Sequence, residues 1–139
     1  MRQILLITLG LSTALFASFS KNGNIVTDSD TGLQWQDDAI GTQMSWTAAI
    51  DYCEGLSLDS QNDWRLPNIN ELTSIMDDTK RNPSIDIAFQ STTSNDYWSS
   101  TTYAGYISAV WHVNFSLGGQ YHDNKSNNYY VRCVRAGQL

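Results

Sequence analysis

Cysteine is scarce in this sequence, charge is thin, and basic residues are rarer than acidic ones. Two of 139 residues are cysteine, Cys53 and Cys133, and 16% are charged, against about 25% in an average globular chain. Eight lysines and arginines face fourteen aspartates and glutamates. A surface of that balance repels phosphate backbones, which disfavours a nucleic-acid binder, and without a local basic patch it also disfavours strong attraction to anionic lipid or a heavily sulfated polymer. No CxxC pair, HExxH, GxSxG or phosphate-binding glycine loop occurs, so the common zinc, triad and nucleotide sites have no sequence basis. Beyond residue 16 no apolar run approaches the ~20 residues of a membrane span. Repeats and low-complexity tracts are absent as well. Disorder is excluded by what is present, 41% hydrophobic and 12% aromatic residues, the opposite of a disordered composition.

The first 20 residues read as a secretory leader. Met1-Arg2-Gln3 gives a positive start, Ile4 to Phe16 is apolar, and Ser18 and Ser20 place small side chains at −3 and −1 for cleavage before Lys21. The apolar run is too short for an anchor, and no cysteine stands where a lipoprotein would need one. The expectation is an exported protein, periplasmic or secreted, with one domain over 21–139. Loss of Arg2 with the leader leaves seven basic against fourteen acidic residues, a net charge of −7. In an exported chain two cysteines form a disulfide by default. A bond closing a loop of 80 positions contributes roughly 4.5 kcal/mol by loop entropy. A metal pair or a catalytic thiol are the rival readings, with neither a CxxC spacing nor a neighbouring histidine behind them.

Hydrophobic periodicity orders the chain. Ile25 to Gln36 reads as a hairpin turning at Asp28–Gly32, where Gly32 can take a positive φ. Asp37 to Gln43 is polar and reads as a loop. Ser45 to Leu56 reads as a helix capped by Ser45, with Trp46, Ala49, Ile50, Cys53 and Leu56 on one face. Asn68 to about Met76 reads as a second helix with Asn68 and Glu71 in a capping box. The 77–96 stretch is polar. Tyr97 to Thr101 is a strand candidate, and Trp111, Val113, Phe115 and Leu117 alternate with polar residues as in a half-buried strand. Gly118-Gly119 makes a turn, His122 to Asn128 is a polar stretch, and Tyr129 to Arg135 is a closing strand. Helices followed by antiparallel strands give an α+β domain.

Five segments in this order resemble a known family. They are Val26-Thr27-Asp28 with Thr31 to Trp35, Trp46-Thr47-Ala48-Ala49 with Tyr52-Cys53, Asp63-Trp64-Arg65-Leu66-Pro67-Asn68 with Glu71-Leu72, Tyr97 to Thr101, and Val131 to Arg135. Together they resemble the C-terminal domain of the Legionella collagen-like adhesin. A more distant likeness is to the formylglycine-generating enzymes. That likeness implies a single C-type-lectin-like domain, two helices packed on a twisted antiparallel sheet, closed by a long-range disulfide such as Cys53–Cys133. It does not imply the enzymes' chemistry, because that needs reactive cysteines. The calcium-dependent sugar tripeptides of animal C-type lectins, Glu-Pro-Asn and Trp-Asn-Asp, do not occur, and neither do collagen-like Gly-X-Y repeats.

The motif residues Trp46, Trp64, Arg65, Glu71 and Trp98 read as structural, since large rings at element starts bury area and an arginine by a helix start binds carboxylates. Ligand-binding candidates are Tyr103, Tyr106 and Tyr121 near turns, where rings suit sugar faces or protein partners, or else cover the edge of the core. His122, Asp123 and Asn124 form a polar cluster that could hydrogen-bond a ligand or hold a cation, or be a solvated loop. Asp28/Asp30, Asp37/Asp38 and Asp77/Asp78 are oxygen-rich, so calcium is possible, although the twelve-residue calcium loop is missing; no cofactor is required. His112 and His122 flank the glycine turn and could approach each other, but two histidines define no catalytic site. The expectation is a non-catalytic recognition or adhesion module for an extracellular glycan or surface protein, with loops 101–108 and 118–128 as its binding face. An envelope assembly factor and an enzyme remnant are the alternatives.

Overall fold

The computed structural model describes residues 18–38, 41–137 and 139; most of the segment read as a leader lies outside the described residues. In chain order the elements are β1 (Phe19–Asn22), β2 (Ile25–Asp28), β3 (Gln34–Gln36), α1 (Trp46–Glu54), α2 (Ile69–Ser74), β4 (Asp96–Thr102), β5 (Ala109–Asn114), β6 (Gln120–Asn124) and β7 (Val134–Arg135). The class is α+β, as the order of patterns predicts. The single expected sheet is instead two antiparallel sheets, β1-β2-β3-β7 and β4-β5-β6. The closing segment explains the division. Tyr130 exchanges backbone hydrogen bonds with β4, at 3.0 Å from the Trp98 N–H and 3.0 Å to the Asp96 carbonyl. Four residues later Val134 pairs with Trp35 of β3. Only Val134–Arg135 is strand, where Tyr129 to Arg135 was expected, because this segment leaves one sheet to join the other.

Local chemistry sets the β2–β3 hairpin and α2. Asp28 accepts from the Asp30 N–H at 3.0 Å and the Thr31 hydroxyl at 2.8 Å, and Gly32 has φ 75°, which only glycine adopts without strain. The hairpin register sets Val26 against Trp35, and both are fully buried. At α2 the Glu71 N–H donates to Asn68 Oδ1 at 2.8 Å, and the Asn68 N–H donates to Glu71 Oε1 at 2.9 Å, completing the expected capping box. The helix stops at Ser74, short of Met76, which forms a bridge with Ile85 instead. α1 is also shorter than expected. The Ser45 hydroxyl makes no capping bond; the Trp46 N–H donates instead to the Lys125 carbonyl at 3.1 Å.

Two hydrophobic clusters result. One joins the hairpin to α2 and the second sheet through Trp35, Leu72, Ile75, Tyr97 and Phe115. The other surrounds the Cys53–Cys133 disulfide, Cα–Cα 5.5 Å, with Trp64, Trp98 and Val110. Each motif tryptophan also ties its indole N–H to a backbone carbonyl: Trp46 to Ser99, Trp64 to Gln61 and Trp98 to Met44, at 2.9, 3.0 and 2.9 Å. Covering both faces of β5 breaks the expected alternation there. His112 is 4% exposed while Trp111 is half-buried. Leu117, expected in the strand, stands 65% exposed in the turn.

Of the buried carboxylates Asp28, Asp37 and Glu71, the last two are answered by arginine. Arg65 grips Glu71 with both terminal nitrogens, at 2.6 and 2.7 Å, a two-pronged geometry that favours the ionised acid. Asp37, expected in a polar loop, accepts from Lys21 Nζ at 2.5 Å, from the Gln90 and Ser91 N–H groups at 2.9 and 3.0 Å, and from Arg132 Nη1 at 3.0 Å. Burial alone would raise both acids, but the Lys21 bond, the amides and Arg132 hold Asp37 below its usual range, and the Arg65 and Asn68 bonds do the same for Glu71. A depressed carboxylate stabilises the fold above its unfolded value and withdraws that stability as pH falls through the folded one. Thermal stability is therefore expected to be level near neutrality and to fall steeply below about pH 4, read as melting temperature against pH. An Asp37→Asn variant should flatten that acid limb.

Candidate functional site

The connection from β4 to β5, residues 103–108, folds tightly onto its own first side chain. The Tyr103 N–H donates to the Ala109 carbonyl at 2.9 Å, and the Ala109 N–H to the Tyr106 carbonyl at 3.0 Å. A Cβ on Gly105 would lie 2.5 Å from Tyr103 Cε1, so glycine is what lets the backbone approach the ring. The chain then runs out along β5, turns through Gly118-Gly119, and returns along β6. Antiparallel return places His122 opposite Trp111, directly beside this loop.

Four rings assemble there. Tyr103 and His122 stack with centroids 3.8 Å apart and planes 10° from parallel. Trp111 meets both edge-on, 5.3 Å from Tyr103 and 5.6 Å from His122. Tyr106 lies nearly parallel to Tyr103 at 6.2 Å and is 67% exposed; its neighbour Ile107 is 93% exposed. Edge-to-face and offset contacts of this kind fix ring orientation. The product is an aromatic platform at one end of the second sheet.

The six residues expected to share one site divide between two faces. Tyr103, Tyr106 and His122 meet on the platform. Tyr121 and Asp123 alternate with His122 along β6 and so point to the other face, because successive strand residues face opposite ways. There Tyr121 lies over His112, with centroids 6.0 Å apart. Asp123 accepts the Tyr129 hydroxyl at 2.5 Å; that bond lowers Asp123. Burial and the same bond push the Tyr129 phenol far above its usual range. His112 Nε2 lies 3.2 Å from Asp96 Oδ1. His112 and His122 therefore occupy opposite faces and do not approach as a pair. Asn124 spends its Oδ1 on the N–H and hydroxyl of Ser126, at 2.9 and 2.8 Å. Trp111, read as core, is the platform member that strand alternation concealed. The Gly118-Gly119 turn stands at the far end of β5 from the platform.

Every segment that carried the resemblance now has a place, from the β2–β3 hairpin to the closing segment that bears Cys133. The sequence profile of the Lcl C-terminal domain matches residues 24–135. The chain belongs to the Lcl C-terminal domain family. The curated proteins contain no match to it. As an Lcl C-terminal domain it is an adhesin-like module, and among its described residues no helix is long and apolar enough to cross a membrane.

Charge and metal donors in this Lcl C-terminal domain are largely committed. Asp28, Asp37, Asp77 and Asp123 each accept hydrogen bonds within the fold. Among the described residues no three His, Cys, Asp or Glu side chains converge as a metal cage would. Lys21, Arg65, Lys80, Arg132 and Arg135 are all in ion pairs. Of the remaining cations among the described residues, Arg81 donates to the Asp78 and Lys80 carbonyls and Lys125 lies 4.9 Å over the Trp46 ring.

Proposed function

We propose that this domain is an exported, non-catalytic recognition module of C-type-lectin-like fold that binds an uncharged extracellular glycan on the platform of Tyr103, Tyr106, Trp111 and His122. The observation that carries the reading is the platform itself. Rigid, partly exposed rings offer the apolar face of a pyranose a large contact at little rotamer cost, and the imidazole and phenol rims offer hydrogen bonds. The ion pairing of five basic side chains argues for a neutral ligand, since a sulfated polymer needs free cations. Membership of an adhesin-like family and a disulfide suited to an oxidising compartment support export, to the periplasm or beyond. The joining of both cysteines in that disulfide argues against formylglycine-type chemistry. The fold assignment is supported by the covalent tie between α1 and the closing segment.

A glycan array of neutral and sulfated sugars, probed with and without EDTA, tests this. The expected result is a neutral hit that EDTA leaves unchanged and that Tyr103→Ala and His122→Ala each weaken about tenfold. Gly105→Ala should weaken it too, through displacement of the Tyr103 ring. Binding that survives Tyr103→Ala would move the site elsewhere. A blank array beside stable capture of one envelope protein would favour the protein-partner reading, which exposed Ile107 at the rim of the platform also fits.

A further inference from the structure

The expected cleavage before Lys21 conflicts with the architecture of the first sheet. β1 pairs with β2 over four positions, Phe19 with Asp28, Ser20 with Thr27, Lys21 with Val26 and Asn22 with Ile25. A chain starting at Lys21 keeps only the last two. It also loses the Ser18 carbonyl, which accepts from the Ser29 N–H at 3.1 Å and the Ser29 hydroxyl at 3.3 Å. The larger loss is the Phe19 ring. It packs against the core and meets Phe89 edge-on at 5.4 Å, and Phe89 in turn lies 5.0 Å beneath the Arg132 guanidinium. A strand cut to two residues loses half of its pairing with β2, and Phe89 would be left uncovered on that side.

Resting on the export reading, we infer that Ser18, Phe19 and Ser20 belong to the mature domain, and that the leader is cut between Ala17 and Ser18. This bond has the small Ala17 at −1 and the uncharged, non-aromatic Leu15 at −3, where leader peptidases favour small residues. It leaves the whole apolar run from Ile4 to Phe16 on the discarded side. The upstream bond with small residues at both −3 and −1, Ala14–Leu15 with Ser12 at −3, would leave Leu15 and Phe16 as an apolar tail on the secreted chain. The step is a hydrolysis: the Ala17–Ser18 amide breaks, and water supplies the hydroxyl of the new Ala17 carboxylic acid and a hydrogen of the new Ser18 amine. The ammonium formed at Ser18 lies beside the Ser18 carbonyl that Ser29 holds, so β1 keeps all four pairs.

N-terminal sequencing and intact mass of the full chain exported from a bacterial host decide the point. The expected first residue is Ser18. A first residue of Lys21 overturns the inference and leaves the export reading intact; Leu15 overturns the assigned bond; retention of Met1 overturns both. A second readout uses Phe19→Ala. If Phe19 is retained, the exported variant has a lower mass than wild type and melts lower by about 5 °C. If cleavage falls before Lys21, the two mature proteins are identical in mass and melting temperature, which also refutes the inference.

Discussion

Arg132→Met should unfold this domain more readily than any surface change, lowering stability by about 3–5 kcal/mol, or the melting temperature by about 10–20 °C. The guanidinium is 3% exposed. Its Nη1 donates to the Gln36 carbonyl at 2.5 Å and to Asp37 at 3.0 Å, and its Nη2 donates to the Ser91 carbonyl at 2.8 Å and the Thr92 hydroxyl at 2.7 Å. One side chain thereby joins β3, the 91–92 loop and the closing segment. Methionine replaces the aliphatic stem but leaves the Asp37 carboxylate buried with one cation fewer, and an under-compensated buried charge costs more than a lost neutral contact. Thermal unfolding followed by circular dichroism reads the change. The double variant Asp37→Asn/Arg132→Met should recover part of the loss, since it removes the stranded charge with its partner. A single-variant loss below about 1 kcal/mol would mean that Lys21 and the two amides satisfy Asp37 alone.

Removal of the disulfide as Cys53→Ala/Cys133→Ala should cost about 2–5 kcal/mol. Both cysteines are fully buried, so part of the loss comes from two voids beside Trp64 and Trp98 and the rest from a freer unfolded chain. Burial makes a kinetic prediction as well. A reductant should act on the native protein slowly, at the rate of opening, and quickly once denaturant is present. Melting of the oxidised, reduced and double-alanine forms separates the two contributions. If the reduced form melts with the oxidised one, the crosslink constrains little.

What the sequence disclosed was local. The Asp28–Gly32 turn and the Asn68/Glu71 cap lie within five residues of chain, and both have the geometry their patterns predict. What it concealed was partnership at a distance. Asp37 sits in a polar stretch with nothing nearby to mark it, because Arg132 lies 95 positions away. β6 was unreadable for a different reason: Gln120–Asn124 is an exposed or half-buried edge throughout, so it has no apolar alternation to reveal a strand. That omission propagated to the site. With 122–124 taken as a loop, Tyr121, His122 and Asp123 had no faces to be sorted between. Trp111 was hidden by the reverse effect, since its alternation with Val113 pointed it inward. Tyr103, Tyr106 and His122 were legible as aromatic and polar groups near turns, but their stacking depends on β6 returning beside β5.

The covalent tie between α1 and the closing segment also determines how the domain would respond to tension. A pull on its two ends passes along β1, β2, β3 and α1 as far as Cys53, crosses the sulfur–sulfur bond, and leaves through β7. The chain between the cysteines, 80 positions apart, holds α2, the whole second sheet and all four platform rings. It forms a closed loop outside that line of force. Stretching can peel the first sheet while the platform stays folded, so the four rings would keep their arrangement under shear that had already begun to extend the chain around them.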